Sequence, residues 1–171
     1  LKTPSVGEIV IKGGNVTAGY ENNPTANASS FTDGWFRTGD QGYQDEEGYI
    51  YLTGRIKEII NRGGEKVSPR EVDEVLLNHP AVAQAVAFAV PHDRLGETAC
   101  ACIVPSPGSG VPSVAELGTF LGEHGVATQF FPEAVRLREE LPRTPSGKIQ
   151  KFVLRDQVLS HEDDADRFIE S

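Results

Sequence analysis

The sequence predicts an α+β fold in which a mostly antiparallel sheet is flanked by helices. Two observations lead to this class. The first half alternates short β-rich runs with glycine turns, and the second half follows the order β-loop-α-β-β-α-β-loop-α. The 171 residues, 38% of them apolar, suffice for one ordinary domain or two small ones. We therefore divide the chain into a β-rich segment over 1–55, an α+β domain over 56–157 and an acidic tail over 158–171.

The first half contains one predicted helix among its strands. Asn23 is a candidate N-cap, and Pro24 fits the first helical position. Residues 33–40 combine a turn, two aromatic residues and then a second loop, which contains Gly39. The predicted elements are a strand over 7–13, a short helix over 24–31, and a hairpin with strands over 42–44 and 49–52.

The second half begins with a predicted glycine loop over 61–66, which is followed by a helix start. Ser68 is the candidate cap, Pro69 fits the first turn, and Glu71 can complete a capping box. A polar turn is predicted over 141–148. The other predicted elements are a helix that ends at His79-Pro80, strands over 82–90 and 98–104 joined by 91–96, a helix from Ser113 to about Gly122, a strand over 134–137 and a helix over 151–159.

Composition excludes several classes of function. The chain carries 16 basic and 25 acidic residues, and its net charge of −9 repels nucleic acid and anionic membranes. No run of 18 apolar residues predicts a membrane span. Cys100 and Cys102 lie two residues apart in a predicted strand, where Cα atoms are roughly 6.5–7 Å apart, at or beyond disulfide reach. We expect two buried core residues in a reducing, cytoplasmic compartment, and no metal site.

The chain contains no methionine and begins at Leu1. Because translated chains start with methionine, we expect this sequence to be part of a longer protein. A small protein that has lost its initiator is the alternative.

A carboxylate follows a glycine at Thr38-Gly39-Asp40. An ionised aspartate only accepts hydrogen bonds, so Asp40 can bind two vicinal hydroxyls at once, which is a common way to hold a ribose. The alternative is an aspartate that bonds to the backbone of its own turn.

Twin glycines lie within a basic cluster. Gly63 and Gly64 allow the backbone to approach a ligand closely. In a chain of net charge −9, a local excess of positive charge indicates an anionic ligand, with a solvated basic face as the alternative. The cluster consists of Arg55, Lys57, Arg62, Lys66 and Arg70.

A lysine, Lys148, ends a proline- and glycine-rich turn over 142–147. A lysine at the tip of a turn can stabilise negative charge on a phosphoryl or carboxylate group in a transition state. The turn lacks the spacing of a Walker loop, and an ordinary surface turn is the alternative.

Together, in this order and spacing, these motifs resemble the C-terminal third of the adenylate-forming superfamily. That superfamily contains acyl-CoA synthetases, peptide-synthetase adenylation domains and firefly luciferase. The resemblance covers residues 7 to about 155. The residues in these motifs are more similar to those of acyl-CoA ligases than to those of peptide-synthetase domains. The matching stretches are GEIVIKG, GY-x3-P, DGWFRTGD, GYIYLTGRIKEIINRGGEKVSPREVDEVL, AVPHDRLGE and LPRTPSGKIQK.

The resemblance implies roles for individual residues. Asp40 looks like the aspartate that binds the ribose of ATP and AMP, and Arg55 like the arginine that contacts the same nucleotide. Trp35 matches an aromatic position near the nucleotide. Lys57 occupies the position of the hinge between two domain poses, and Lys148 that of the lysine of adenylation. Gly63, Gly64 and Glu65 match the CoA-binding loop that lines the pantetheine tunnel. Lys66 follows this loop, and its positive charge suits a phosphate of CoA or of the nucleotide.

The resemblance also implies the reaction. A carboxylic acid and ATP give an acyl-adenylate and pyrophosphate, and the thiol of CoA then displaces AMP. Segment 1–55 would be the β-rich end of a large AMP-binding domain, and 56–157 the mobile C-terminal domain. The triphosphate loop, the acid pocket and the ligands of the Mg²⁺ that accompanies ATP would all lie upstream, so we expect the fragment alone to be inactive.

Two alternatives remain open from the sequence. The chain could be a non-catalytic module that binds a nucleotide or CoA, or part of an acyl-AMP ligase that passes the acyl group to a carrier protein. The implied partners are a small carboxylic acid, ATP, CoA and the missing N-terminal domain of the same enzyme, and a homo-oligomer is left open. Neither nucleic acid nor a membrane span is expected.

Overall fold

The computed structural model describes residues 5–160 and divides the chain into two compact units. The first unit extends to Lys57, and the second begins at Glu58. The acidic tail predicted from the sequence lies outside the described residues, apart from its first three positions. No helix within residues 5–160 is both long enough and apolar enough to cross a membrane.

The first unit is an antiparallel sheet with one short helix. Strand β3 lies at its centre and pairs with the other three strands. The helix begins as predicted, because the side chain of Asn23 accepts a hydrogen bond from the Ala26 N–H at 3.0 Å. The elements are β1 (Gly7–Ile11), α1 (Pro24–Ser30), β2 (Phe31–Thr32), β3 (Trp35–Gln44) and β4 (Ile50–Arg55).

The loop that we predicted at Gly39 and Asp40 is wrong, because both residues belong to β3. The pairing of β1 with β3 shifts register between Glu8 and Val10, so residues 38–40 form a bulge. Gly39 has a φ of +73°, which a glycine adopts at little cost. The Thr38 hydroxyl donates to the Ile9 carbonyl at 2.7 Å and accepts the Asp40 N–H at 3.0 Å. The glycine therefore marks a bulge inside a strand.

The second unit is a five-stranded sheet flanked by three helices. The strand order is β6-β5-β8-β7, with β9 parallel to β8 and every other pair antiparallel. The predicted α+β class with mostly antiparallel strands is thereby confirmed. The elements are β5 (Ile60–Arg62), β6 (Glu65–Val67), α2 (Pro69–Leu76), β7 (Val82–His92), β8 (Gly96–Pro105), α3 (Val114–Glu123), β9 (Ala134–Leu137) and α4 (Lys151–Leu159).

Strands β7 and β8 are longer than predicted and form one hairpin with a short turn. The His92 Nδ1 atom accepts the N–H groups of Arg94 and Leu95, both at 3.2 Å, which closes the turn. The predicted strand ends at Val90, directly before Pro91. The strand continues through Pro91 because β7 is an edge strand, where the missing N–H can face away from the sheet.

Helix α2 begins at Pro69 after the N-cap Ser68, as predicted, but the predicted capping bond and the predicted end of the helix are wrong. The side chain of Ser68 makes no cap bond, and the N–H of Glu71 donates to the Ser68 carbonyl oxygen at 3.3 Å. Helix α2 ends at Leu76, earlier than predicted, and turns follow. A complete capping box forms instead at α3, where the Ser113 N–H donates to Glu116 at 2.7 Å and the Glu116 N–H to the Ser113 hydroxyl at 3.2 Å.

The core of the second unit lies on both faces of the β7–β8 hairpin. Helices α2 and α3 cover one face through side chains that include Val72, Leu76 and Leu117. On the other face Cys100 and Cys102 pack in one cluster with Leu154 of α4, and both cysteines are fully buried. The prediction that the two cysteines are core residues is confirmed. Burial of each valine or leucine side chain in these two clusters stabilises the fold by about 1.5–3 kcal/mol.

Candidate functional site

Asp40 and Arg55 lie directly opposite each other on β3 and β4. The Arg55 Nε atom is 3.0 Å from Asp40 Oδ1, and both side chains keep contact with solvent, at 57% and 26% exposure. One ion pair uses only part of the hydrogen-bonding capacity of each group. The structure thus brings together two predicted site residues, and leaves both able to bind a ligand.

Arg55 also lines a cavity of about 380 Å³ in the first unit. The bulge contributes Thr38 and Gly39 to the wall, and Lys57 lies on the same surface as Arg55. The positive side chains of Arg55 and Lys57, beside the half-buried polar bulge, suit an anionic, hydroxylated ligand. The full lining is Glu8, Tyr20, Ser29, Ser30, Phe36, Arg37, Thr38, Gly39, Arg55, Ile56 and Lys57.

Glu8 holds the bulge in place, and sequence reasoning missed it. Its carboxylate accepts bonds from Arg37 at 2.6 and 2.9 Å and from the Gly39 N–H at 3.1 Å. The hydrogen bond from Arg37 outweighs the opposing effect of burial and, with the Gly39 N–H, lowers the pKa of Glu8 below its usual value of 4.5. A charged residue in a strand between glycines was the only sequence signal.

We expect Glu8→Gln to destabilise the first unit in a pH-dependent way. Because the fold lowers the pKa of Glu8, ionised Glu8 stabilises the protein above pH 4.5, and this contribution is lost as the pH falls through the folded-state pKa. The unfolding midpoint of the full-length protein, measured from pH 7 to pH 3, should show a deficit for Glu8→Gln that shrinks with acidification. The control is Glu47→Gln in the β3–β4 turn. A deficit that is the same at every pH contradicts the assignment.

Trp35 lies away from this pair. It is the first residue of β3, five residues from Asp40, a separation of about 16 Å along a strand. Its indole is 44% exposed, and the Lys12 ammonium lies 5.8 Å from the ring centroid. The aromatic residues that line the cavity are Tyr20 and Phe36. A role for Trp35 at a nucleotide stays a prediction.

The glycine loop predicted over 61–66 is instead a β-hairpin with a two-residue turn. Strands β5 and β6 pair up to Arg62 and Glu65, and Gly63 and Gly64 make the turn with φ of +60° and +94°. Such a turn needs positive φ at both positions, which explains the two glycines. A Cβ atom on Gly64 would have no neighbour within 4 Å. The turn therefore presents bare backbone at the surface.

Polar contacts fasten this turn to the rest of the second unit. The Gly63 N–H donates to the Leu95 carbonyl at 2.8 Å, and Arg62 forms an ion pair with Glu133 at 2.6 Å. Burial acts to raise the pKa of Glu133, but the hydrogen bond and charge of Arg62 outweigh it and lower that pKa. His92 adds a contact of 3.5 Å to Glu133. Arg62, one of the predicted basic cluster, thus has a structural partner, whereas Lys66 and Glu65 are exposed.

Lys148 extends from a rigid turn. The Gly147 N–H donates to the Thr144 carbonyl at 2.8 Å, which closes a tight turn with Pro145 second and a left-handed Gly147 last. Thr144 and Lys148 exchange two more bonds, from the Thr144 N–H at 2.8 Å and from the Lys148 N–H to the Thr144 hydroxyl at 3.1 Å. The predicted polar turn is confirmed.

Arg143 anchors this turn to the sheet. Its guanidinium donates to the Gly147 carbonyl and to the Gln84 side chain of β7, both at 2.8 Å. The side chain of Lys148 is exposed, and among residues 5–160 its ammonium has no ion-pair or hydrogen-bond partner. Because the backbone of the turn is fixed and the ammonium has no partner among these residues, Lys148 can present its positive charge to a substrate.

Metal-binding side chains do not gather in the described part of the chain. No group of three or more His, Cys, Asp or Glu residues within 5–160 is arranged to hold a metal ion. The expectation of no zinc site stays a prediction for the whole chain.

Comparison with known proteins places these features in a family. The model of the AMP-binding enzyme C-terminal domain matches residues 71–148, from α2 to Lys148. The chain is 50% identical to the probable CoA ligase CCL9 of Humulus lupulus, over 90% of this chain and 29% of that protein. It is also 50% identical to the oxalate–CoA ligase of Saccharomyces cerevisiae, over 90% of this chain and 28% of that protein.

A solved structure agrees with both sequence matches. ATP-bound MatB from Rhodopseudomonas palustris superimposes with a TM-score of 0.81 and 35% identity, over 92% of this chain and 31% of that one. The chain thus spans less than a third of the length of the proteins that it matches. The chain belongs to the adenylate-forming superfamily and corresponds to the C-terminal part of its members.

Proposed function

We propose that this chain is the C-terminal part of an ATP-dependent acyl-CoA synthetase. The whole enzyme would convert a carboxylic acid, ATP and CoA into acyl-CoA, AMP and pyrophosphate through an acyl-adenylate. The observation that carries the proposal is the facing pair of Asp40 and Arg55 beside a basic cavity. Similarity to proteins named as CoA ligases, and to a structure with bound ATP, supports it.

The nucleotide would bind at the bulge of β3. The Asp40 carboxylate can accept hydrogen bonds from both ribose hydroxyls, and the planar guanidinium of Arg55 can donate to nucleotide oxygens. Their ion pair of 3.0 Å holds both side chains in place before a ligand binds. Glu8 supports this geometry through the Gly39 backbone. We leave Trp35 outside the first contacts, because it is the first residue of β3, five residues before Asp40.

Lys148 would act in the first half-reaction. An oxygen of the acid attacks the α-phosphorus of ATP, a P–O bond forms to the acyl group, and pyrophosphate leaves with the electrons of the broken P–O bond. Negative charge on the carboxylate and α-phosphate can be stabilised by the Lys148 ammonium. The Mg²⁺ that accompanies ATP would be held by ligands outside this segment.

The glycine hairpin would act in the second half-reaction. The sulfur of CoA bonds to the acyl carbon, the bond from that carbon to the phosphate oxygen breaks, AMP leaves and the thiol proton is released. In the Gly63–Gly64 turn, the bare backbone at Gly64 lets a thin pantetheine chain lie against it. Lys66 on β6 is exposed and can meet a phosphate of CoA, and Glu65 lies next to it.

Adenylation and thioester formation need different groups, Lys148 and the glycine hairpin, so part of the enzyme has to move between the two steps. We assign the first unit to the end of a large AMP-binding domain and the second to a mobile C-terminal domain. Lys57, the last residue of the first unit, is exposed and lies in a single 3-10 turn over Ile56–Glu58. A short turn between two compact units can change its backbone angles at low cost, which suits a hinge.

The test is to assay the full-length protein for exchange of pyrophosphate into ATP that depends on an added acid. Short dicarboxylic, medium-chain and aromatic acids form a suitable panel, and mass spectrometry of the CoA product completes the assay. Exchange with thioester formation supports the proposal. Exchange without any CoA thioester indicates an acyl-AMP ligase, and a protein that binds ATP or CoA without exchange indicates a binding module.

We expect Gly64→Val to impair thioester formation more than adenylation. A β-branched residue at a φ of +94° is strained by about 1–3 kcal/mol, and its side chain would cover the bare backbone. Gly125 at the end of α3 is a matched control, since it has a φ of +83° and open space around it. Gly125→Val should cost similar stability and leave the ratio of the two half-reactions unchanged. Equal kinetic ratios in both variants would contradict the assignment of the turn to CoA.

A further inference from the structure

The ammonium of Lys151 lies among three oxygen atoms. It is 3.0 Å from Asp73 Oδ2 on α2, 3.1 Å from the carbonyl oxygen of Ala87 on β7, and 3.3 Å from Glu58 Oε2. An ammonium group has three N–H donors, and this one has three acceptor oxygen atoms around it. No local pattern predicts this cluster, because its members, at positions 58, 73, 87 and 151, lie as many as 93 positions apart.

The cation sits in an unfavourable place, which makes its partners informative. Lys151 is the first residue of α4, where the helix dipole disfavours positive charge, and its side chain is only 23% exposed. Burial raises the pKa of Asp73, against the opposing effects of Lys151 and of the Ala87 N–H that Asp73 accepts. The Asp73–Lys151 pair alone would balance the charge. Glu58 is therefore a second carboxylate, beyond what neutralisation of Lys151 needs.

The position of Glu58 suggests what the second carboxylate does. Glu58 is the first residue of the second unit and directly follows Lys57. Lys151 comes three residues after Lys148, and the Gln150 N–H between them donates to the Pro142 carbonyl at 2.8 Å. One ion pair thus joins the segment next to the hinge to the segment that carries Lys148.

We propose that Glu58 and Lys151 are positioning residues, which hold the Lys148 turn in a fixed relation to the hinge at Lys57. Neither side chain touches substrate. When the backbone turns at Lys57, the ion pair, together with the anchor of Arg143 on β7, makes the Lys148 segment follow the rotation as a rigid body. The proposal rests on the proposed function, since it needs a Lys148 that must reach a reacting group in one pose.

Glu58→Gln in the full-length protein tests the coupling while the buried Asp73–Lys151 pair remains. We expect single-turnover adenylation to slow about tenfold, equal to about 1.4 kcal/mol of barrier, with the KM values for ATP and acid changed less than about twofold. Thioester formation from supplied acyl-adenylate should change less than about twofold. The unfolding midpoint should stay the same, because a partly exposed ion pair adds little stability.

Glu74→Gln is the matched control, since it breaks the exposed Arg70–Glu74 ion pair of 2.6 Å in the same unit. It should leave both half-reactions unchanged. A second arm uses Lys151→Gln, with and without Glu58→Gln. If the two residues act through one ion pair, the second substitution adds no further loss of adenylation rate to the first.

Three results overturn the inference. They are Glu58→Gln kinetics equal to those of Glu74→Gln, equal slowing of both half-reactions, and independent losses in the double variant. Each presupposes an active wild-type enzyme. A wild-type protein without acid-dependent exchange instead overturns the proposed function, so the two failures are distinguishable.

Discussion

Lys148→Ala is expected to slow adenylation by on the order of 10²- to 10³-fold, the cost of removing one preorganised charge from a developing anion. Thioester formation from supplied acyl-adenylate should change less than about threefold, because no role in that step is assigned to Lys148. The turn itself is held by backbone bonds and by Arg143, so truncation of the lysine should leave its shape intact. Pyrophosphate exchange and single-turnover thioester formation measure the two steps separately.

Ser146→Ala is the control, because it alters the same turn and keeps the lysine. The Ser146 hydroxyl lies 2.8 Å from that of Thr144, and its loss should change either rate only slightly. Lys148→Arg keeps the charge with a different geometry and should fall between wild type and Lys148→Ala. Equal loss of both half-reactions in Lys148→Ala would contradict a role confined to adenylation.

Lys57→Pro is also expected to separate the two half-reactions. Proline fixes φ near −65° and drives the preceding residue, Ile56, out of the helical region that the 3-10 turn over Ile56–Glu58 uses. One pose should then be strongly favoured, so that one half-reaction falls by about 10²-fold while the other stays within a few-fold. Both are measured from their own starting point, with ATP and acid or with acyl-adenylate and CoA.

Lys57→Ala removes the same side chain and leaves the backbone free, so it separates the two causes. If it has little effect on either step, the result with proline comes from the backbone. If Lys57→Ala matches Lys57→Pro, the side chain of Lys57 acts directly and the hinge assignment is wrong. Unchanged kinetics in both variants would also reject it.

Local signals sufficed for elements that local chemistry defines. Helix α4 has the bounds 151–159 that its sequence pattern predicted, and β9 those of 134–137. The cap of α1 at Asn23 and the capping box at Ser113 need only residues three positions apart. The same holds for the polar turn that precedes Lys148, which proline and glycine define within a few residues.

Features that depend on strand register could not be predicted. Gly39 favours a loop in any local account, and only the pairing of β1 with β3 turns it into a bulge. The length of the β7–β8 hairpin depends on Pro91 lying on an edge strand, which is a property of the whole sheet.

The candidate site shows the same division. Asp40, Arg55 and Lys148 could be named from the motifs, because each lies in a short and distinctive run of residues. Their supports could not be named. Glu8, Glu133 and Glu58 look like ordinary surface carboxylates in the sequence, and each acquires its partner from a distant segment. The partners of a charge are set by tertiary packing, which a local pattern does not contain.

The distribution of rare side chains gives each unit its own reporter. Trp35, the single tryptophan of the chain, is in the first unit, and both cysteines are in the fully buried core of the second. Tryptophan fluorescence therefore senses changes around the first sheet. Thiol-specific labelling can proceed only when the second core opens, because an inaccessible thiol does not react. Fluorescence and thiol labelling can therefore follow the opening of the first unit and of the second unit separately.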